Sequence, residues 1–133
     1  IDPGRNGDTT SEGQSYAMLR ALYADDRESF DAVWGWTRAN LQQPDGTLAW
    51  LYGERAGDPA RVLDAGGAAD GDQDTALALL LASRRWQEPA YAEAARPLLV
   101  GLWEQQTASV AGRRVLVAGD WARGENGAQP VVN

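Results

Sequence analysis

The sequence predicts a mainly α-helical fold with one short β-hairpin near the C-terminus. Four segments repeat apolar residues at helical spacing, and each opens on a residue suited to a helix start: Thr9, Asp25-Asp26, Asp72 and Pro89. Between them lie turns and loops rich in Gly, Pro and Asp. The helices fall into pairs, which suits an architecture of helical hairpins with functional loops between them. No internal repeat is close enough in sequence to fix more than the class.

Residues 1–8 read as a loop of Gly, Pro, Asp and Asn. Thr9-x-x-Glu12 fits a capping box and predicts a helix to about Ala24, with Tyr16, Leu19, Leu22 and Tyr23 at helical spacing. Asp25-Asp26 caps a second helix to about Asn40, with Phe30, Val33, Trp34, Thr37 and Leu41 on one face. Trp36 cannot share that face with Trp34, because residues two apart do not align on a helix. Gln43 to Gly46 is a turn, Thr47 to Tyr52 a short extended segment, and Gly53 to Gly67 a loop.

The third helix, about Asp72 to Arg85, is apolar nearly all round through Leu77 to Ala82, so burial on more than one side is expected. A fourth begins near Pro89, a good first-turn residue, and carries Tyr91, Ala95, Leu98, Leu99, Leu102 and Trp103. Pro97 inside it should kink it or mark a late true start. Thr107 to Ala118 predicts a β-hairpin around Ala111-Gly112. Gly119-Asp120-Trp121 ends its second strand, and a tail containing Gly, Asn and Pro runs to Asn133.

Composition narrows the chemistry. The chain of 133 residues is the size of one domain, and its net charge of −7 argues against a nucleic-acid or anionic-membrane surface. No apolar run approaches the roughly 18–20 residues of a membrane span. All 12 basic residues are Arg, and there is neither Cys nor His. That excludes a Cys/His zinc site, disulfides and any triad built on His. Acid–base work must therefore come from carboxylates or Tyr.

The carboxylates that stand out are Asp70, Asp72 and Asp74, at alternate positions beside an apolar helix. One could be a helix cap; three are too many. A calcium loop would need Gly at its sixth position and Glu at its twelfth, where this chain has Thr75 and Leu81. Glu12 divides two ways. As a capping-box residue it is ionised, whereas a general acid must hold its proton near neutrality, which asks for desolvation or a like charge nearby. Trp50 and Trp121 also divide, between core or edge packing and platforms on which the apolar face of a sugar stacks.

Ala68 to Ala76, followed by the apolar run to Trp86, resembles the signature of glycoside hydrolase family 8 through Asp70, Gly71, Asp72, Ala76 and Trp86. Ala69 departs from the family's usual Ser or Thr, and Thr75 from its Ile or Met. The resemblance extends, in order, to Thr9-Thr10-Ser11-Glu12-Gly13-Gln14-Ser15-Tyr16, Thr47-Leu48-Ala49-Trp50, Val62-Leu63-Asp64-Ala65 and Ala118-Gly119-Asp120-Trp121. The Thr9 to Tyr16 opening is most like the periplasmic cellulases associated with bacterial cellulose synthesis.

The resemblance implies part of an (α/α) barrel of six helical hairpins, with a long cleft across the ends of the inner helices. It implies inverting hydrolysis without metal or cofactor, in a secreted or periplasmic enzyme; the family's substrates include β-1,4-glucan, mixed-linkage glucan, xylan and chitosan, and the likeness of the Thr9 to Tyr16 opening is what favours β-1,4-glucan. Glu12 would be the proton donor, Asp70 would bind the sugar at the cleavage point, and Trp50 and Trp121 would be sugar contacts. Residues 1–133 would be part of a catalytic domain whose first helix and C-terminal half lie outside this sequence. The partners implied are a β-linked polysaccharide and the remainder of the domain, in the same gene product or a separate chain, which would supply the general base from beyond residue 133. A rival reading is a non-catalytic glucan-binding or assembly module that lacks the base. A plain structural domain would instead leave Glu12, Asp70 and Trp50 scattered.

Overall fold

The structure, a computed structural model, describes residues 7–124 and 129–132. The parts of the predicted terminal loops at 1–6, 125–128 and 133 lie outside the described residues. Four helices run in two hairpins: α1 (Ser11–Tyr23) with α2 (Arg27–Asn40), and α3 (Ala69–Arg85) with α4 (Pro89–Gln105). Helix α1 packs on both α2 and α3, and α4 packs on α3, so α1 and α3 join the hairpins. Phe30, Met18, Leu41, Leu48, Leu79 and Leu98 are fully buried, and Trp34 nearly so. Phe30 meets Trp86 and Tyr91 edge-on, with ring centroids 5.1 and 5.4 Å apart. At this end Asp25 accepts hydrogen bonds from Arg85 and Trp86, tying the turn of one hairpin to that of the other.

Two starts differ from expectation. The N-cap of α1 is Thr10, not Thr9: its hydroxyl accepts from the Gly13 N–H at 3.2 Å. Thr9 and Thr10 instead form β1 (Thr9–Thr10), so the capping register moves by one and Glu12 falls outside the box. Helix α3 begins at Ala69, three residues before the predicted start, with no side-chain cap. The acidic residues are thus inside its first turns. Successive helical positions turn by about 100°, so Asp70 and Asp72 point different ways. Asp70 is exposed and Asp72 is wholly buried.

The predicted loop from 53 to 67 is in fact largely a hairpin. Strand β2 (Leu51–Arg55) pairs antiparallel with β3 (Asp58–Asp64), turning at Ala56-Gly57, and with β1 on its other edge. Its strands are mostly exposed and polar, so no apolar alternation marked them. The C-terminal hairpin forms as expected from β4 (Thr107–Val110) and β5 (Arg113–Leu116), with Ala111 and Gly112 both at positive φ.

Helical spacing also overstated burial. Tyr16 and Tyr23 on α1 are exposed, and its covered stripe is Ser11, Ser15, Met18, Ala21 and Leu22. On α3, Leu77 and Leu80 are exposed while Ala78, Leu79 and Ala82 are buried, so among the described residues one side of this helix is open. Leu99 and Trp103 on α4 are exposed as well. No helix among the described residues is long and apolar enough to cross a membrane.

Candidate active site

The first turns of α1 and α3 meet. Gly71 permits it: a Cβ there would lie 2.8 Å from the Ser11 hydroxyl and 3.1 Å from the Glu12 amide nitrogen. Each helix carries a carboxylate at its second residue, Glu12 in α1 and Asp70 in α3. The close crossing therefore delivers two acids to one place.

That place is a cleft of about 530 Å³ lined by Glu12, Trp50, Asp64, Asp70 and Trp121 and floored by the backbone of Gly66 to Ala68. The four side chains to which the resemblance gives site roles, Glu12, Trp50, Asp70 and Trp121, line it together while Asp72 and Asp74 do not, and the scattered arrangement expected of a purely structural domain is not found. A larger hollow of about 750 Å³ lies beside α2, between Val33, Trp36 and Tyr52. Trp36 meets Tyr52 edge-on there, and neither Glu12 nor Asp70 reaches it.

Both oxygens of Glu12 are engaged, and neither by a helix cap. The Trp50 indole N–H donates to Oε1 at 3.1 Å, and the Ser11 hydroxyl donates to Oε2 at 3.1 Å. Trp50 is fixed through its main chain too, since its carbonyl accepts from the Ser11 N–H and its N–H donates to the Gly66 carbonyl, each at 3.1 Å. Among the described residues, Asp70 accepts from the following amide, Gly71, at 3.0 Å.

Two further carboxylates, Asp64 and Asp120, build the site. Asp64 ends β3 opposite Leu51, and its Oδ1 accepts from the Gly66 N–H at 2.8 Å, which turns the chain into the cleft floor. Asp120 and Trp121 clasp a single residue of that floor from both sides. Asp120 Oδ1 accepts from the Gly67 N–H at 2.8 Å, and the Trp121 indole donates to the Gly67 carbonyl at 3.2 Å. Gly119 allows the approach, because a Cβ there would stand 2.1 Å from that same carbonyl. The Gly-Asp-Trp run marked Asp120 by its place beside Trp121. Asp64 lies in the matching run Val62-Leu63-Asp64-Ala65, but with its strand taken as loop nothing in the sequence gives it a role in the site.

Replacing Asp120 by Ala is expected to cost about 1 kcal/mol of stability by stranding the Gly67 N–H. Asp120→Asn, which keeps the accepting oxygen, should stay near wild type. Denaturant unfolding with tryptophan emission reads both, and equal losses in the two variants would exclude the clasp as the cause.

Behind the floor, Asp72 Oδ1 accepts from the Leu48 N–H at 2.9 Å and Oδ2 from Gln106 Nε2 at 2.5 Å. Burial pushes its carboxyl up to about 7, outweighing these two hydrogen bonds, and the charges of Asp45 and Asp120 push the same way. Asp72 therefore ties α3 to the segment before Trp50 and to the end of α4, out of reach of any ligand.

Residues 1–131 match the sequence profile of Glycosyl hydrolases family 8. An endoglucanase of Salmonella typhi is 44% identical over 118 residues, which is 84% of this chain and 31% of that protein. Among solved structures, the endo-β-1,4-glucanase CMCax of Acetobacter xylinum superposes with a TM-score of 0.85 at 35% identity, over 95% of this chain and 39% of that one. The endoglucanase Cel10 of Klebsiella pneumoniae gives 0.83 at 36% identity, over 90% and 38%. The chain spans about a third of the length of the curated relatives it matches. Its two helical hairpins are part of the (α/α) barrel of these enzymes.

Proposed function

Because the chain belongs to glycosyl hydrolase family 8, we propose that it forms part of the catalytic domain of an enzyme that cleaves β-1,4-linked glucan with inversion. The observation that carries this reading is the convergence of Glu12, Trp50, Asp70 and Trp121 on one cleft. Glu12 gives its carboxyl proton to the glycosidic oxygen as the bond from that oxygen to C1 breaks. In the same displacement a water bonds to C1 from the opposite face and yields its proton to a carboxylate that stands outside these 133 residues. Asp70 grips hydroxyls of the sugar at the cleavage point, and Trp50 and Trp121 present ring faces to neighbouring sugars.

On this reading residues 1–133 are one part of a single domain, completed by the remainder of the barrel, and the enzyme works outside the cytoplasm on a polysaccharide. A carboxyl held at both oxygens and facing the same cleft as Asp70 supports hydrolysis over simple binding. The test is hydrolysis of carboxymethyl cellulose and a soluble cello-oligosaccharide by the full-length gene product, with proton NMR of the first-formed anomer. Inversion at a β-linkage gives the α-anomer first. A β-anomer would refute the inverting route, and binding without any cleavage would replace the enzyme with a glucan-binding module.

A further inference from the structure

We propose that Trp50 is a positioning residue for the proton of Glu12, a role separate from any stacking on sugar and resting on the reading of Glu12 as the general acid. The two oxygens of Glu12 face partners of different kinds. An indole N–H can donate but never accept, so Oε1, 3.1 Å from Trp50 Nε1, is an acceptor whichever state the carboxyl is in. A proton on Oε1 would confront another proton. The transferable proton therefore sits on Oε2. Its neighbour there, the Ser11 hydroxyl at 3.1 Å, both donates and accepts and can rotate, so it serves the carboxylate and the carboxylic acid equally.

Trp50 can enforce this because it is itself immobilised against the same two residues. Its carbonyl accepts from the Ser11 N–H while its indole N–H donates to the Glu12 carboxyl, so main chain and side chain together clamp the first turn of α1. The Trp50 N–H is in turn held by Gly66 at the cleft floor. A carboxyl gripped at one oxygen presents the other in a single direction, which is what proton delivery to a fixed glycosidic oxygen requires. A stacking platform needs only a ring face, which Phe would supply. The indole N–H is the feature that stacking leaves unexplained.

The test compares Trp50→Phe with wild type in the full-length protein on two substrates: an unactivated cello-oligosaccharide, and a 2,4-dinitrophenyl glycoside whose leaving group departs without needing a proton. Losing one hydrogen bond to the acid should lower kcat on the oligosaccharide roughly tenfold with KM little changed. Most of that loss should be recovered on the dinitrophenyl substrate. Equal losses on both substrates, a change in KM alone, or no loss on either would overturn the proposal.

Glu12→Gln is the control that separates this inference from the reading beneath it. If Glu12→Gln keeps full activity on the oligosaccharide, the assignment of the acid falls and the Trp50 role with it. If Glu12→Gln is disabled on the oligosaccharide and rescued by the activated glycoside while Trp50→Phe shows no such contrast, only the Trp50 role falls. Should Trp50→Phe not fold, protein labelled with ¹⁵N-tryptophan decides: the Trp50 indole signal should shift in Glu12→Ala, which removes the accepting oxygen. An unchanged set of indole signals would overturn the proposal.

Discussion

Glu12→Gln in the full-length protein is expected to lower kcat on unactivated glucan on the order of a thousandfold, with KM within about threefold of wild type. The side chains are nearly identical in shape. The Gln Oε1 still accepts from the Trp50 indole, and its amide nitrogen can donate to the Ser11 hydroxyl, which reverses its role. The cleft therefore keeps its form and loses only the transferable proton. Steady-state kinetics on a cello-oligosaccharide measure this, and a kcat within tenfold of wild type would remove Glu12 from the reaction.

The second large effect concerns stability. Asp72 has a folded-state pKa of about 7, above its ordinary 3.8, chiefly because it is buried. Below the lower value the group is protonated in the folded and unfolded chains alike. Between the two, the folded chain holds a proton that the unfolded chain has released, so stability falls as pH rises. Above about 7 both are ionised and the loss is complete. At ~1.4 kcal/mol per pH unit the fall is on the order of 4 kcal/mol, a large part of a typical domain's stability.

Asp72→Asn should abolish that slope and be the more stable form near pH 8. Asn Oδ1 can still accept from the Leu48 N–H, and its amide nitrogen can donate to Gln106 Oε1, a buried oxygen otherwise without a partner among the described residues, once the Gln106 amide turns over. Asp72→Ala should destabilise at every pH, because the Leu48 N–H is stranded. Unfolding midpoints between pH 4 and 8 decide it: parallel curves for wild type and Asp72→Asn would rule out Asp72 as the titrating group.

The helices were legible because periodicity and caps are local. Asp26 caps α2 through the Ser29 N–H and Pro89 opens α4, as the pattern requires. The helix starts at the site were harder. Thr9, Thr10 and Ser11 can each cap, and only the pairing of Thr9 and Thr10 with Tyr52 and Leu51 chooses among them. Ala68 has no capping group, so the start of α3 was read at the first convincing Asp, three residues late. Tyr16, Leu77 and Leu80 show the limit of spacing: it states which residues share a face, and tertiary neighbours decide whether that face is covered.

At the site, acids and aromatics were visible as residue types, but their partners were not. Glu12 bonds Trp50 across 38 positions, and Gly67 meets Asp120 across 53, so these contacts exist only once the helices have crossed. Family resemblance carried the cleft residues where local pattern favoured a cap for Glu12.

The β2–β3 hairpin separates two things that evolution can alter independently. Its base holds chemistry, with Trp50 just before Leu51 and Asp64 opposite it, while its tip at Ala56-Gly57 is exposed and bonds to nothing in the cleft. The arm already breaks register between Leu51 and Tyr52 and between Gly53 and Arg55, so a residue gained or lost toward the tip can be absorbed as a bulge while the pairing of Leu51 with Asp64 at the base is untouched. Inherited variation in length should therefore gather beyond Tyr52 and spare that pair.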